Sequence, residues 1–228
     1  MTAAPPLVAL VGNPNAGKSA LFNALTGLNQ KIANYPGVTV ERKSGRLLLP
    51  DGRPAELVDL PGAYSLEPDG LDEAVTRRVV TGAMDGHRRP DALVIVVDAS
   101  NLDNHLRFTL ELIELGLPTV VALNMVDMAA RDGLTLDPAR LSAELGVPVV
   151  ETVAVRRRGL DALGAAVEQA LRRSAPAPNH APPPAPAPAP GTRAAEARRI
   201  ARAAIASESQ SRELTRALDR VLLNPFLG

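Results

Sequence analysis

The stretch GNPNAGKS, residues 12–19, constrains the fold of this chain more than any other feature. A short apolar run, LVALV at 7–11, leads into it, and Ala, Leu and Phe at helical spacing follow it. The stretch matches the pattern G-x-x-x-x-G-K-[ST] in the context that the pattern requires, with a strand before the loop and a helix after it. The sequence therefore predicts a strand, a tight loop and a helix that together surround an anion.

The residue types in that loop favour a bound nucleotide. Inward-pointing backbone N–H groups would cradle the β-phosphate, and the positive end of the following helix favours negative charge there. Lys18 would reach the β- and γ-phosphates, and the Ser19 hydroxyl would bind Mg²⁺. The residues of this segment expected to contact the nucleotide are Gly12, Asn13, Pro14, Asn15, Ala16, Gly17, Lys18, Ser19 and Ala20.

Two further segments follow in the order and spacing of a GTPase. Asp59 ends a predicted strand and begins Asp-Leu-Pro-Gly, where its carboxylate would hold Mg²⁺ through water and the Gly62 backbone would approach the γ-phosphate. Thr39 lies in NYPGVTVE, residues 34–41, between the first helix and the second strand. GTPases place a second protein ligand to Mg²⁺ in such a segment, which closes over the γ-phosphate, so Thr39 is the candidate.

The motif Asn124-Met125-Val126-Asp127 indicates which base is bound. It resembles the [NT]-K-x-D motif with which GTPases read guanine, with Met125 in place of the usual Lys. The Asp127 carboxylate can accept from guanine N1–H and from the 2-amino group, a donor pair that adenine lacks. The four motifs together predict GTP and GDP as ligands and Mg²⁺-dependent GTP hydrolysis as the activity.

Apolar runs alternate with segments at helical spacing along residues 1–173. Runs typical of buried parallel strands lie at 7–11, 54–60, 91–99, 118–124 and 147–153. Helices are predicted near 18–27, 71–84, 101–115, 138–145 and 159–173. Asp51-Gly52 is a strong hairpin signal and predicts one antiparallel strand. The pattern predicts an α/β P-loop GTPase domain with a doubly wound, mostly parallel sheet flanked by helices.

The composition changes sharply after residue 173. Residues 174–191, SAPAPNHAPPPAPAPAPG, contain eight prolines and predict an extended Pro/Ala-rich linker. Residues 192–228 are rich in Ala and Arg and predict a short helical segment. Near its end, an apolar stripe needs a partner surface; it comprises Leu214, Leu218, Val221 and Leu222.

Charge balance and the absence of Cys narrow the possible functions. Lys and Arg total 25, as do Asp and Glu, so the chain has no net positive charge that would attract nucleic acid. We therefore expect no nucleic-acid partner. Without Cys there are no disulfides and no thiolate metal sites. No apolar run approaches the roughly 18 residues of a membrane span, and the first residues lack a signal-peptide pattern. We therefore expect these 228 residues to be soluble and cytoplasmic.

Several segments are similar to the cytoplasmic GTPase domain of FeoB, the bacterial ferrous iron transporter. They are GNPNAGKSALFNALTG, NYPGVTVERKSG, VDLPGAYSL, IELGLPTVVALNMVD and LGVPVV, and they cover most of residues 7–173. LTRALDRVLLNPFLG, residues 214–228, resembles the sequence with which that family enters its first membrane helix. The resemblance implies a domain at the cytoplasmic face of the bacterial inner membrane. Its partners would be the transporter's own membrane domain and small accessory proteins of iron transport.

The resemblance also implies roles for single residues. In potassium-stimulated GTPases of this broad group, the Asn that corresponds to Asn15 helps to bind K⁺ beside the β- and γ-phosphates. Ala63 stands where Ras-like GTPases carry a Gln that orients water, so slow unaided turnover is expected. Guanine O6 would meet the backbone at Ala154 and Val155, where the family commonly has Ser at position 154. The expected catalytic residues are Lys18, Asn15, Thr39 and Gly62.

The chain departs from the family pattern after the GTPase domain. The family usually carries a helical subdomain of about a hundred residues there, the size of a small domain. Here residues 174–228 are a Pro-rich linker and a short helical segment. A role such as slowing GDP release is therefore not carried over to this chain.

Two other functions fit parts of the sequence. A free-standing GTPase of ribosome or tRNA maturation shares the phosphate loop but needs a basic RNA-binding appendage. The only sequence support for such an appendage is residues 156–158 and the Arg-rich tail. A nucleotide-dependent binding module with negligible hydrolysis is slightly favoured by Ala63. Stimulation of turnover by a monovalent cation would exclude that module.

Overall fold

The computed structural model describes residues 4–27, 30–67, 70–173 and 192–208. Within these ranges the strands are β1 (Leu7–Gly12), β2 (Gln30–Asn34), β3 (Glu41–Leu48), β4 (Pro54–Asp59), β5 (Ala92–Asp98), β6 (Thr119–Asn124), β7 (Leu134–Leu136), β8 (Val149–Glu151) and β9 (Ile205–Glu208). The α-helices are α1 (Lys18–Thr26), α2 (Leu71–Thr81), α3 (Leu102–Ile113), α4 (Val126–Arg131), α5 (Pro138–Leu145), α6 (Leu160–Arg173) and α7 (Thr192–Ala204).

Seven strands form one sheet in the order β2-β3-β4-β1-β5-β6-β8. β3 runs antiparallel to both of its neighbours, and the remaining pairs are parallel. The hairpin between β3 and β4 turns at Gly52, whose φ of 82° suits glycine and whose N–H donates to Leu49 O at 2.9 Å. The predicted fold, a mostly parallel sheet with one antiparallel strand, is confirmed.

The central strands are buried on both faces, as their apolar runs predict. Alternate residues of β1 point to opposite sides: Val8 and Leu10 belong to the core cluster that contains residues of α1 and α6, and Ala9 and Val11 belong to the cluster that contains residues of α2, α3 and α7. Helices therefore cover both faces, which is why these strands read as continuous apolar runs rather than as alternating ones. Because β1, β4, β5 and β6 run parallel, their carboxyl ends lie at the same edge of the sheet.

The structure adds elements that the sequence pattern did not predict. β2 is an edge strand whose side chains are mostly exposed, so it carries no apolar run; Ile32 is 66% exposed. α4 and β7 are short elements, of six and three residues. The helices expected at 71–84 and 101–115 are shorter at their ends, and the last predicted strand keeps only Val149–Glu151.

α7 packs on the domain rather than standing apart from it. It lies against α3 and α5, and it buries Ala197, Ile200 and Ala201 in the core on that side of the sheet. The helix ends at Ala204, and the next four residues form β9, which pairs antiparallel with β7. The predicted linker at 174–191 and the apolar stripe beyond residue 208 lie outside the described residues.

None of the helices in the described ranges combines the length and the apolar character that crossing a membrane requires.

Candidate nucleotide-binding site

The loop between β1 and α1 contains two residues in the left-handed backbone conformation. Asn15 has φ 65°, and Gly17, the residue before α1, has φ 83°. A Cβ at Gly17 would lie only 2.3 Å from Nδ2 of Asn124, so a larger residue could not occupy this position without displacing that side chain. The loop therefore ends directly at the N-terminus of α1, the positive end of the helix dipole, where an anion is favoured.

Asn124 ties three loops of the site together. Its Nδ2 donates to Ala16 O at 3.0 Å, and its Oδ1 accepts from Ala154 N at 3.1 Å. The Thr152 hydroxyl also donates to Oδ1, at 3.2 Å. Asn124 is 2% exposed, so these bonds are made away from water and are correspondingly strong. The phosphate loop, the base-reading motif and the loop at 154–156 are thus fixed relative to one another; the contribution of Thr152 was not predicted.

The phosphate end of the site brings Lys18 and Asp59 together. Lys18 Nζ lies 2.6 Å from Asp59 Oδ1, with 11% and 6% of the two side chains exposed. A cavity of about 260 Å³ adjoins the pair and is lined also by Ser19. Carboxylate and hydroxyl oxygens are ligands that suit Mg²⁺, so Ser19 and Asp59 fit the expected metal.

Thr39 is not brought to that cavity. Its side chain is exposed, and the neighbours that line the cavity from the same segment are Val40 and Glu41. The segment reverses direction between Tyr35 and Val40, where the Tyr35 N–H donates to Val40 O at 2.9 Å. Tyr35 itself lies in the core and is 1% exposed. Burial raises the pKa of the Tyr35 hydroxyl well above its usual value. The sequence did not indicate this buried anchor.

The Asp-Leu-Pro-Gly motif packs directly on the phosphate loop. A Cβ at Gly62 would lie 3.1 Å from Cα of Pro14, and Ala63 N–H donates to Gly12 O at 3.3 Å. Ala63 is fully buried, and its methyl group offers no hydrogen bond to a water molecule. The backbone at Gly62 is therefore close to the loop, as the predicted contact with a γ-phosphate requires.

The base end of the site is formed by the start of α4 and the loop after β8. Met125 has φ 61° and precedes α4, so Asp127 lies in its first turn. Ala154 is buried, whereas Val155 is 80% exposed. Nη1 of Arg156 lies 3.6 Å from Oδ2 of Asp127, a contact that the sequence did not predict.

The two asparagines of the phosphate loop differ in exposure. Asn13 is 3% exposed, whereas Asn15 is exposed at the tip of the loop. Both border a cleft of about 670 Å³ that reaches to α3 and α7. Across the described ranges, no group of three His, Cys, Asp or Glu side chains is placed to hold a metal ion.

Fold and site together define a class: a domain with the P-loop GTPase fold, in which the glycine-rich loop follows β1 and the Asn124-Met125-Val126-Asp127 motif begins at the end of β6. The sequence model of ferrous iron transport protein B matches residues 7–167. The chain belongs to this family, FeoB.

Individual relatives agree with that membership. The Fe(2+) transporter FeoB of Salmonella typhimurium is 45% identical over 166 residues, which are 71% of this chain and 21% of the relative. FeoB of Escherichia coli K12 has the same identity and coverage. This chain thus spans about a fifth of the length of the curated relatives that it matches.

Solved structures give the same result. The cytosolic domain of L. pneumophila FeoB is 42% identical with a TM-score of 0.66, covering 72% of this chain and 68% of that one. The G domain of T. maritima FeoB is 37% identical with a TM-score of 0.65, covering 73% and 99%. A point mutant of S. thermophilus NFeoB bound to GDP is 42% identical with a TM-score of 0.66, covering 73% and 60%.

Proposed function

We propose that this domain binds GTP and GDP and hydrolyses GTP with the help of Mg²⁺. The observation that carries the proposal is the set of bonds made by Asn124, which holds the phosphate loop at Ala16 and the base loop at Ala154. A nucleotide spanning the two loops would meet Lys18 at one end and Asp127 at the other. The GDP-bound S. thermophilus relative supports a guanine nucleotide.

The residues divide the work between phosphate and base. Lys18 would leave its ion pair with Asp59 to contact the β- and γ-phosphates, and Asp127 would accept from the guanine edge. Ser19 and Asp59 would hold Mg²⁺, and Thr39 would complete the ligand set when its segment closes. Mg²⁺ in such a site neutralises charge on the phosphates. Because Ala63 cannot orient water, backbone groups near Gly62 would have to do so.

The test compares the rates of GTP and ATP hydrolysis and replaces the Asp127 carboxylate by an amide. With Mg²⁺, the wild-type protein should hydrolyse GTP and leave ATP nearly untouched. Asp127→Asn should weaken GDP binding and favour xanthosine diphosphate, because an amide can donate to the 2-oxo group of xanthine. Asp132→Asn, just after α4, is the matched control and should behave as the wild type. Undiminished GDP selectivity in Asp127→Asn would show that the base is read elsewhere.

We also propose that K⁺ stimulates hydrolysis through Asn15. The exposed amide at the loop tip could contribute an oxygen to an ion beside the β- and γ-phosphates, where added positive charge stabilises the transition state. The test measures steady-state GTP hydrolysis in KCl and NaCl at matched ionic strength. About ten-fold stimulation, equivalent to ~1.4 kcal/mol, should be lost in Asn15→Ala. Equal rates in the two salts would remove the potassium role.

For the whole protein, we propose Fe²⁺ uptake across the bacterial inner membrane, with this domain on the cytoplasmic side. The names of the S. typhimurium and E. coli relatives support the transport function. The GTPase domain would be residues 1–173, followed by the linker at 174–191 and a segment at 192–228 that leads toward the transporter's own membrane domain. Small accessory proteins of iron transport would be further partners. Fe²⁺ uptake by cells should fall when Lys18→Ala is placed in the full-length protein.

A further inference from the structure

Arg156 lies beside the carboxylate that would read the guanine base. Its Nη1 is 3.6 Å from Oδ2 of Asp127, and Asp127 is the more buried partner, with 21% of its side chain exposed against 71% for Arg156. The neighbouring Arg157 and Arg158 form no ion pair with Asp127 within the described ranges. One of three consecutive arginines is thus placed at the base end of the site.

The loop that carries Arg156 is fixed by its own backbone. Ala154 N–H donates to Oδ1 of Asn124 at 3.1 Å. Val153 and Arg158 exchange two backbone hydrogen bonds, at 3.1 and 3.2 Å, which close the loop below Arg156. The same bonds that position the base-reading motif therefore also hold the Cα of Arg156 near Asp127.

Guanine and Arg156 would draw on the same acceptor. The N1–H and 2-amino groups of guanine together engage both oxygens of a carboxylate, and a guanidinium donates to carboxylates in a similar paired geometry. Because Oδ2 of Asp127 faces Arg156, an entering base has to share or displace that partner. Because 71% of the Arg156 side chain is exposed, water weakens the ion pair, so the competition is mild and reversible.

We infer that Arg156 is a counter-ion that competes with guanine for Asp127, and so weakens GDP binding and speeds GDP release. The inference rests on the proposed guanine-nucleotide function. The direction in which removal of Arg156 changes GDP affinity distinguishes this inference from a general electrostatic effect. Removing a cation near a polyanion normally weakens binding, whereas removing a competitor strengthens it.

The experiment measures the affinity and the dissociation rate of fluorescently labelled GDP for the wild-type protein, Arg156→Ala and Arg156→Lys. Arg156→Ala should bind about two- to five-fold more tightly, the range expected for loss of an exposed ion pair, mainly through slower release. Arg156→Lys should lie between the two. The difference between wild type and Arg156→Ala should shrink as salt rises from about 50 to about 500 mM, because salt screens exposed pairs.

Arg131→Ala is the matched control. Arg131 is as exposed as Arg156, at 74%, and lies on α4, but its neighbouring carboxylate is Asp132 rather than Asp127. It should leave GDP binding unchanged. Equal or weaker GDP binding by Arg156→Ala, with normal binding by the wild type, would overturn the inference and leave the proposed function intact. A wild-type protein that binds no GDP would overturn both.

Discussion

Lys18 and Asp59 form an ion pair 2.6 Å long between the start of α1 and the end of β4. The two residues are 41 positions apart, and both side chains are largely buried. The expected phosphate ligand and the expected Mg²⁺ ligand are therefore already in contact. Nucleotide binding would exchange this pair for a phosphate and a metal ion, so the charges on both groups remain compensated.

Lys18→Ala should therefore abolish tight nucleotide binding. We expect GDP affinity to fall at least about 100-fold, or ~2.7 kcal/mol, because a direct phosphate contact is lost and the charge of Asp59 is left uncompensated. Titration with fluorescent GDP measures this, with Lys31→Ala, an exposed lysine on β2, as the control. Unchanged affinity in Lys18→Ala would refute the phosphate assignment.

Thr39→Ala should slow GTP hydrolysis more than it weakens GDP binding. GDP has no γ-phosphate for the segment at 34–41 to close on, so only the reacting complex would use the Thr39 hydroxyl. Because Thr39 is exposed, its truncation should not disturb folding. Turnover and GDP affinity are measured side by side, with the exposed Thr135→Ala as control. Equal losses of both quantities would indicate a structural role instead.

Glu111→Ala should destabilise the folded domain. Glu111 is 7% exposed; its Oε2 accepts from Leu66 N–H at 2.7 Å, and its Oε1 lies 3.3 Å from Arg193 Nη1. Removing it leaves a backbone donor and a guanidinium without this partner, which costs about 1–3 kcal/mol. The free energy of unfolding in urea measures the change.

Glu114→Ala is the comparison for Glu111→Ala. Glu114 also pairs with Arg193, at 2.7 Å, but 34% of its side chain is exposed. Its loss should cost less than that of Glu111, about 1 kcal/mol, because the Glu114 carboxylate keeps more of its contact with water and, among the described residues, accepts from Arg193 alone. If Glu114→Ala is as destabilising as Glu111→Ala, the buried hydrogen bond between Leu66 and Glu111 does not account for the loss of stability.

Tyr35→Phe should leave the stability unchanged or raise it slightly. The Tyr35 hydroxyl is buried without a hydrogen-bond partner among the described residues, and burial raises its pKa. Losing an unsatisfied hydroxyl while keeping the ring should change the free energy of unfolding by about 0 to +1 kcal/mol. Tyr35→Ala, in contrast, should cost about 3–5 kcal/mol, because the core loses the ring. A loss above about 1 kcal/mol in Tyr35→Phe would show that the hydroxyl does have a partner.

The central strands could be predicted because their environment is uniform along the chain. β1, β5 and β6 are buried on both faces, so their apolar runs alone identify them. β2 could not be found in this way, because four of its five side chains are exposed. α7 was predicted as a helix, but its docking was not, since three of the four residues that it buries are alanines, which are equally common in an exposed Ala-rich helix.

The motifs around the site were recognisable because each lies within a few consecutive residues, and phosphate binding depends on local backbone shape. Whether the motifs meet depends on strand order. The sheet places β1 between β4 and β5, which brings Asp59 to Lys18 and Gly62 to Pro14.

The sequence by itself determined the strand–loop–helix unit, the order of the motifs and the apolar runs that build the sheet, because these follow from nearest neighbours and side-chain periodicity. Only the tertiary structure decided that Asn124 joins two loops, that Arg156 faces Asp127 and that Glu111 holds Leu66. Arg156 and Asp127 are 29 positions apart in the sequence, Glu111 and Leu66 are 45 apart, and Asn124 and Ala16 are 108 apart. No local sequence pattern indicates contacts between residues so far apart. They arise where packed elements place particular side chains within hydrogen-bonding or ion-pair distance.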